Sequence, residues 1–185
     1  MARTLITGPA VEPISLDDAK LHVRQDDTAD DALITGLIKA AREYAENFTR
    51  RALITQTWEL VLDDWPDDDE IELPLPPLQS VTSVKYTDLD GVEHEFDDDY
   101  YIVDTSGVKG RVVLVEDASW PSSEDLQEAA AIHVRFVAGY GAAGSSVPEM
   151  ILLGMKMLIG SWYENREPSG SLEVADLLMW SLRVW

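Results

Sequence analysis

Near residue 53 the spacing of apolar positions changes from a helical period to a strand period, and that change restricts the chain to folds that need both. Leu33, Ile34, Leu37, Ile38, Ala41, Tyr44, Ala45 and Phe48 recur three and four residues apart, which gathers them on one face of a helix. From Ile54 the pattern alternates. Ile54, Gln56, Trp58, Leu60 and Leu62 fall on one side, and Thr55, Thr57, Glu59 and Val61 on the other, as in a pleated strand whose successive side chains point to opposite faces. A long amphipathic helix ending near Arg51 therefore runs almost directly into a strand.

Local signals extend this reading in both directions. Ser15-Leu-Asp-Asp18 has the spacing of a capping box and opens a short helix to about Arg24; Thr28 with Asp31 repeats the pattern at the start of the long helix. After residue 62 short strand-like segments follow at Glu70–Leu75, Val81–Thr87, Val92–Phe96, Tyr100–Asp104, Arg111–Glu116 and Ala130–Ala138. Asp90-Gly91 is a two-residue hairpin signal, and Ser106-Gly107 to Lys109-Gly110 marks a second turn. Pro74, Pro76 and Pro77 lack the N–H that a ladder needs, so their strand belongs at a sheet edge. Ser146-Val-Pro-Glu149 again reads as a helix start, for a helix over 147–166 that Pro168-Ser-Gly170 closes. Residues 171–185 fit one more short helix.

The order of elements predicts an α+β fold: N-terminal helices, a central antiparallel sheet region, then a long C-terminal helix plus a short docking tail. For 185 residues we expect a single domain over 1–170, with helices at 15–52, β structure at 54–138 and a helix at 147–166, followed by a separate docking segment at 171–185. Order is expected to fade at the termini.

Composition narrows the function classes. The chain has no cysteine, which removes disulfides, thiolate metal sites and a cysteine nucleophile. Its 35 acids against 14 bases leave a net charge of −21, the wrong sign for a protein that grips nucleic acid through its phosphates. That charge instead suits a surface which a duplex passes without adhering. The start of the chain has no apolar stretch of signal-peptide length, so a cytosolic start is expected. The most apolar run, Met150–Tyr163, contains Lys156 and falls short of the roughly 20 residues that span a bilayer. No membrane span is expected.

Three patterns resemble chemistry. Gly139, Gly141 and Gly144 spell G-x-G-x-x-G between a strand and a helix. A dinucleotide site would continue into another strand ending in an acid, whereas here helix and tail follow, and Ser145-Ser146 separates Gly144 from the helix start. A link between strand and helix is the better reading. The acidic runs Asp63-Asp64-Trp-Pro-Asp-Asp-Asp-Glu70 and Asp97-Asp-Asp99 supply carboxylates of the kind that hold catalytic divalent ions. Consecutive acids in a loop diverge, however, and are more often a solvated face. Asp88-Leu-Asp-Gly91 begins like a calcium loop but lacks its later ligands. His22, His94 and His133 have no metal-ligand spacing, and no G-x-S-x-G elbow is present. Neither cofactor nor bound metal is expected.

What remains is apolar surface. The stretch Met150–Tyr163 is apolar nearly all round, and the terminal segment carries Leu177, Leu178, Trp180, Leu182, Val184 and Trp185. Such a segment needs something to dock on.

Read in order, several stretches resemble the head–tail connector, or adaptor, proteins of tailed bacteriophages and gene transfer agents. They are Ile14 to Arg24, Asp30 to Ile34, Ala41 to Leu53, Gln56-Thr-Trp58, Leu73 to Val81, Tyr86 to Gly91, Phe136 to Gly141, Val147-Pro148 and Trp162 to Glu167. The resemblance spans nearly the whole chain. It implies a structural role at the head–tail junction of a virion or phage-like particle, after assembly in the host cytoplasm. It also implies a ring of about a dozen copies beneath the portal protein, with a tail or stopper protein on the other side and DNA passing through without specific binding. The family's closing Leu-Leu pair and arginine match Leu177, Leu178 and Arg183, so portal docking is expected of Leu177, Leu178, Trp180, Arg183 and Trp185.

The leading expectation is thus a non-enzymatic ring adaptor. The alternative is an acidic metal-dependent nuclease or phosphodiesterase built on Asp63–Glu70 and Asp97–Asp99; an adaptor-like capsid or tail-completion protein is a third reading. Self-repulsion at −21 per chain predicts a monomer until partners template assembly.

Overall fold

The computed structural model describes residues 2–122, 125–165 and 171–185. Eight strands and four helices appear among them, in the order β1 (Ala2–Thr7), α1 (Leu16–Val23), α2 (Asp31–Thr49), β2 (Gln56–Leu62), β3 (Glu70–Leu73), β4 (Leu78–Thr87), β5 (Glu93–Glu95), β6 (Tyr101–Asp104), β7 (Gly110–Leu114), β8 (Ile132–Ala138), α3 (Glu149–Asn165) and α4 (Ser171–Trp180). This is the expected α+β fold. The chain divides into two compact units, one of residues 1–8 and 55–139 and the other of 9–54 and 140–185.

The first unit is β structure. Its five-stranded sheet has the order β1-β2-β8-β4-β5, and a second, three-stranded sheet has the order β3-β7-β6. All paired strands are antiparallel. The sequence pointed to one sheet region; among the described residues the strands divide into two sheets, β3, β6 and β7 pairing with one another and not with the other five. β8 is the central strand, flanked by β2 and β4, and alternates as a strand with one covered face must: Ile132, Val134, Phe136 and Ala138 are all completely buried. On its other face Arg135 lies opposite Glu59 of β2. Trp65 packs parallel to Trp120 with ring centres 4.8 Å apart, and both meet Phe96. The Asp90-Gly91 turn joins β4 to β5 with Gly91 at φ +78°, and β3 is an edge strand, as the prolines after it require.

One strand was not foreseen. Residues 2–7, expected to lie at a loosely ordered end, form β1 along β2, with Ala2 opposite Val61 and Leu5 opposite Trp58. A mixed polar and apolar hexamer carries no strand signal of its own; the ladder that β2 offers decides it.

The second unit is helical. Ser15 caps α1, accepting the Asp18 amide at 3.1 Å and donating its hydroxyl to the Asp18 carboxylate at 2.6 Å. Arg24, left-handed at φ 58°, ends it. The second capping box does not form. Asp30, not Thr28, is the N-cap of α2, with no side-chain cap bond, because the nearby carboxylates have other partners: Lys20 holds Asp31 at 2.7 Å and the Tyr163 hydroxyl donates to Asp30 at 2.6 Å. α3 begins at Glu149, after a 3-10 turn at Gly144–Ser146 that takes up the expected capping serine. Its expected stop, Pro168-Ser-Gly170, lies outside the described residues. Ile34, Ile38, Ala41 and Ala45 of α2 share one core with Ile151, Met155, Leu158 and Ile159 of α3 and with Ala175 and Met179 of α4. No helix among the described residues is long and apolar enough to cross a membrane.

Candidate assembly interface

The C-terminal segment is anchored to α2 at several points along its length. Tyr44 donates its hydroxyl to Asp176 at 2.8 Å; burial, reinforced by that carboxylate, pushes the Tyr44 pKa up to about 12. Arg51 donates Nε–H to the Leu182 carbonyl at 2.6 Å, and the Val184 amide donates to the Thr49 carbonyl at 3.0 Å. Ala175 and Met179 are fully buried, and Val184 nearly so. α4 approaches α3 closely because Gly154 has no side chain: a Cβ there would lie 3.2 Å from the Met179 side chain and 3.5 Å from the Ala175 carbonyl.

The outward side of this segment is aromatic. Arg183 lies over three rings, 5.2 Å from the centre of Phe48, 5.7 Å from Trp180 and 4.5 Å from Trp185. Its buried Nε has no hydrogen-bond partner among the described residues, and the ring faces meet its charge. Trp180 and Trp185 contact each other edge to face at 5.4 Å. Leu177, Trp180 and Trp185 are nonetheless 74%, 52% and 69% exposed. Of the five residues expected to dock, these three form the presented surface. Arg183, half-buried, organises it, and Leu178 is half-buried. Reasoning from sequence missed Tyr44, Phe48 and Arg51 as its supports; all three lie at or near the end of α2, and only their spacing on that helix hinted at a shared face.

α2 also carries a buried cation. Arg42, 6% exposed, donates Nε–H to Glu12 at 2.8 Å and Nη1–H to Glu46 at 2.9 Å. Burial opposes its charge, and the hydrogen bonds and fields of Glu12 and Glu46 outweigh it, raising the pKa.

The patterns that resembled chemistry are engaged elsewhere. Gly144 packs on the chain before α1, where a Cβ would sit 2.1 Å from the Pro13 carbonyl oxygen; at Gly141 one would sit 2.5 Å from Ser146 Oγ. These glycines serve close approach of backbone to backbone and to side chain. Asp63 accepts the Ala130 amide at 2.9 Å, Asp64 the Trp65 amide at 2.7 Å, and Glu70 pairs with Arg111 at 2.7 Å. Asp97, Asp98 and Asp99 do bring carboxylate oxygens within 4.8 Å of one another, but all three are exposed on a 3-10 turn, and Asp97 caps that turn through the Asp99 amide. Asp88 accepts the Asp90 and Val92 amides and contacts His94 at 2.7 Å, which makes it a hairpin cap. His133 sits between Glu59 and the Ala130 carbonyl.

The chain is α+β, and its C-terminal segment presents an anchored aromatic surface. Residues 13–110 match the family of phage gp6-like head-tail connector proteins; that is more than half of the chain, which is therefore a member of that family and has its structural adaptor role.

Solved structures carry the same fold over the whole length. The chain resembles a component of the neck of an empty gene transfer agent particle computed with C6 symmetry, at TM-score 0.86 and 23% identity, covering 100% of this chain and 96% of that one. Components of the native gene transfer agent virion and of the native neck computed with C12 symmetry match at TM-scores 0.84 and 0.82, each at 22% identity with the same coverage. No curated protein matches the chain in sequence.

Proposed function

We propose that copies of this chain close into a ring at the head–tail junction of a phage or phage-like particle. The ring sits beneath the portal, with its C-terminal segment docked on the portal protein and a tail or stopper protein on the opposite side. The observation that carries this reading is the exposure of Leu177, Trp180 and Trp185 on a segment held firmly by α2. Clustered aromatics around an arginine have the composition of interface hot spots. The C6 and C12 symmetries of the neck structures that share the fold support a ring.

The work of such a ring is mechanical, and no catalytic step is assigned to it. Its net charge of −21 per chain, repeated around a channel, disfavours adhesion of DNA to the wall. Deleting residues 171–185 is a poor test, because Ala175, Met179 and Val184 belong to the core. The clean test is surface truncation: Leu177→Ser with Trp185→Ala should keep the helical circular dichroism and lose co-sedimentation with portal-bearing particles. Undiminished binding by that folded double variant would overturn the docking assignment.

A further inference from the structure

The chain carries 35 acids and 14 bases, and several of its cations are neutralised in place: Lys20, Arg42, Lys85, Arg111 and Arg135 each hold a carboxylate at 2.6–2.8 Å. Arg50, Arg51 and Arg183 hold none among the described residues. Arg3, Arg24 and Lys156 also lack one but stand on separate elements, whereas the fold brings the first three together. The Val184 amide donates to the Thr49 carbonyl at 3.0 Å, which sets the C-terminal segment beside Arg50. Arg51 donates Nε–H to the Leu182 carbonyl at 2.6 Å, next to Arg183. Arg50 is exposed, and the other two are half-buried.

Arg183 is the centre of this corner. Phe48, Trp180 and Trp185 lie against its guanidinium, and its Nε is buried without a hydrogen bond among the described residues. Its two terminal nitrogens are unbonded there as well, yet neither is buried. Aromatic rings meet the face of a guanidinium but leave its edge, where the donors point in the plane, without acceptors. The group that fits that edge is a carboxylate, which takes two parallel N–H···O bonds from one guanidinium. Trp180 and Trp185, both exposed, offer apolar area beside it. Because the segment is already anchored to α2, little freedom is lost when a partner binds.

The surroundings favour an acidic protein over a nucleic acid. A net charge of −21 opposes a duplex, which would bring phosphates and no apolar surface to the exposed Leu177, Trp180 and Trp185. A protein partner uses both the cation and the rings; tryptophan and arginine are the residues in which interface hot spots are enriched. A local cluster of positive charge on so acidic a chain also orients an incoming acidic surface.

We propose that this corner is a carboxylate receptor: Arg183, with Arg50 and Arg51 beside it, takes an aspartate or glutamate side chain of the portal protein, while Trp180 and Trp185 cover the apolar residues next to that acid. This rests on the docking reading above and names the chemistry by which docking occurs.

Affinity for portal-bearing particles, measured by co-sedimentation, tests it. Wild-type affinity should fall on the order of tenfold between about 50 and 500 mM sodium chloride. Arg50→Glu, at an exposed position, should weaken binding several-fold at the lower salt. Arg183→Gln should weaken it about thirtyfold or more, and Arg183→Lys, which keeps the charge without the fork, should recover only part of that loss. If circular dichroism shows either Arg183 variant unfolded, the salt profile and Arg50→Glu decide. A wild type that binds equally at both salt concentrations, or an Arg50→Glu chain that binds as tightly as the wild type, overturns the carboxylate receptor; docking stands provided that Leu177→Ser with Trp185→Ala still abolishes binding. Arginine-dependent binding of duplex DNA, or arginine-dependent self-association without particles, overturns it too and gives the corner to a phosphate or to a second copy. A wild type that does not bind, or a Leu177→Ser, Trp185→Ala chain that binds undiminished, overturns the docking reading itself.

Discussion

The Arg183 guanidinium lies 4.5 Å from the centre of the Trp185 ring, and so ties the last residue of the chain to a cation that also covers Phe48 and Trp180. Each such contact contributes about 0.5–1 kcal/mol when exposed and more when desolvated. Arg183→Ala should destabilise the helical unit by about 1–2 kcal/mol and red-shift tryptophan emission, while Arg183→Lys, which keeps charge but not the planar stack, should fall between. Denaturant titration followed by fluorescence measures both.

Arg42 is the buried hub between Glu12 and Glu46. Removing one partner of a buried ion pair leaves the other uncompensated, typically at 3–5 kcal/mol. Because Glu12 keeps 31% of its side chain in solvent, against 15% for Glu46, Arg42→Met should cost about 3 kcal/mol. Urea melts would show this as a lower midpoint at unchanged slope.

Gly144→Ala would place a Cβ 2.1 Å from the Pro13 carbonyl oxygen, a contact that only backbone movement relieves. Overpacking of this kind costs about 1–3 kcal/mol. The thermal midpoint should fall, whereas Gly36→Ala, with nothing within 4 Å and a helical backbone, should hold or raise it. Equal effects at the two glycines would contradict the packing role.

Acidification should act in two stages. Burial works against the Glu59 charge, but Arg135 and His133 outweigh it and lower its pKa; the Ser106 and Arg111 hydrogen bonds hold Asp104 far below the usual carboxylate range. A depressed folded-state pKa stabilises above the unfolded value and is lost as pH falls through the folded one. These two acids thus support the fold above about pH 4 and progressively less below it. Meanwhile the net charge shrinks toward the sequence pI of 4.2. Sedimentation should show self-association increasing between pH 7 and about 4.5 while circular dichroism is unchanged, with unfolding only at lower pH.

Magnesium should leave the thermal midpoint of the chain unchanged, and Asp97→Asn should not alter that response, since Asp97 to Asp99 form an exposed, self-capping turn. A midpoint that rises with magnesium in the wild type and not in the variant would revive the metal-dependent alternative.

Features that depend on near neighbours were determined by the sequence alone. Ser15 with Asp18, the apolar face of α2, the switch to period two at β2 and the Asp90-Gly91 turn each involve residues within a few positions of one another, so their physics is local. The tertiary structure decided what depends on distant partners. β1 is a strand because β2 lies beside it, the carboxylates near the start of α2 are drawn off by Lys20 and Tyr163, and the G-x-G-x-x-G stretch is shaped by Pro13 and Ser146. The terminal segment is the clearest instance: its apolar residues were plain in the sequence, but which of them are buried and which presented follows from hydrogen bonds that reach back more than a hundred residues to Tyr44, Thr49 and Arg51.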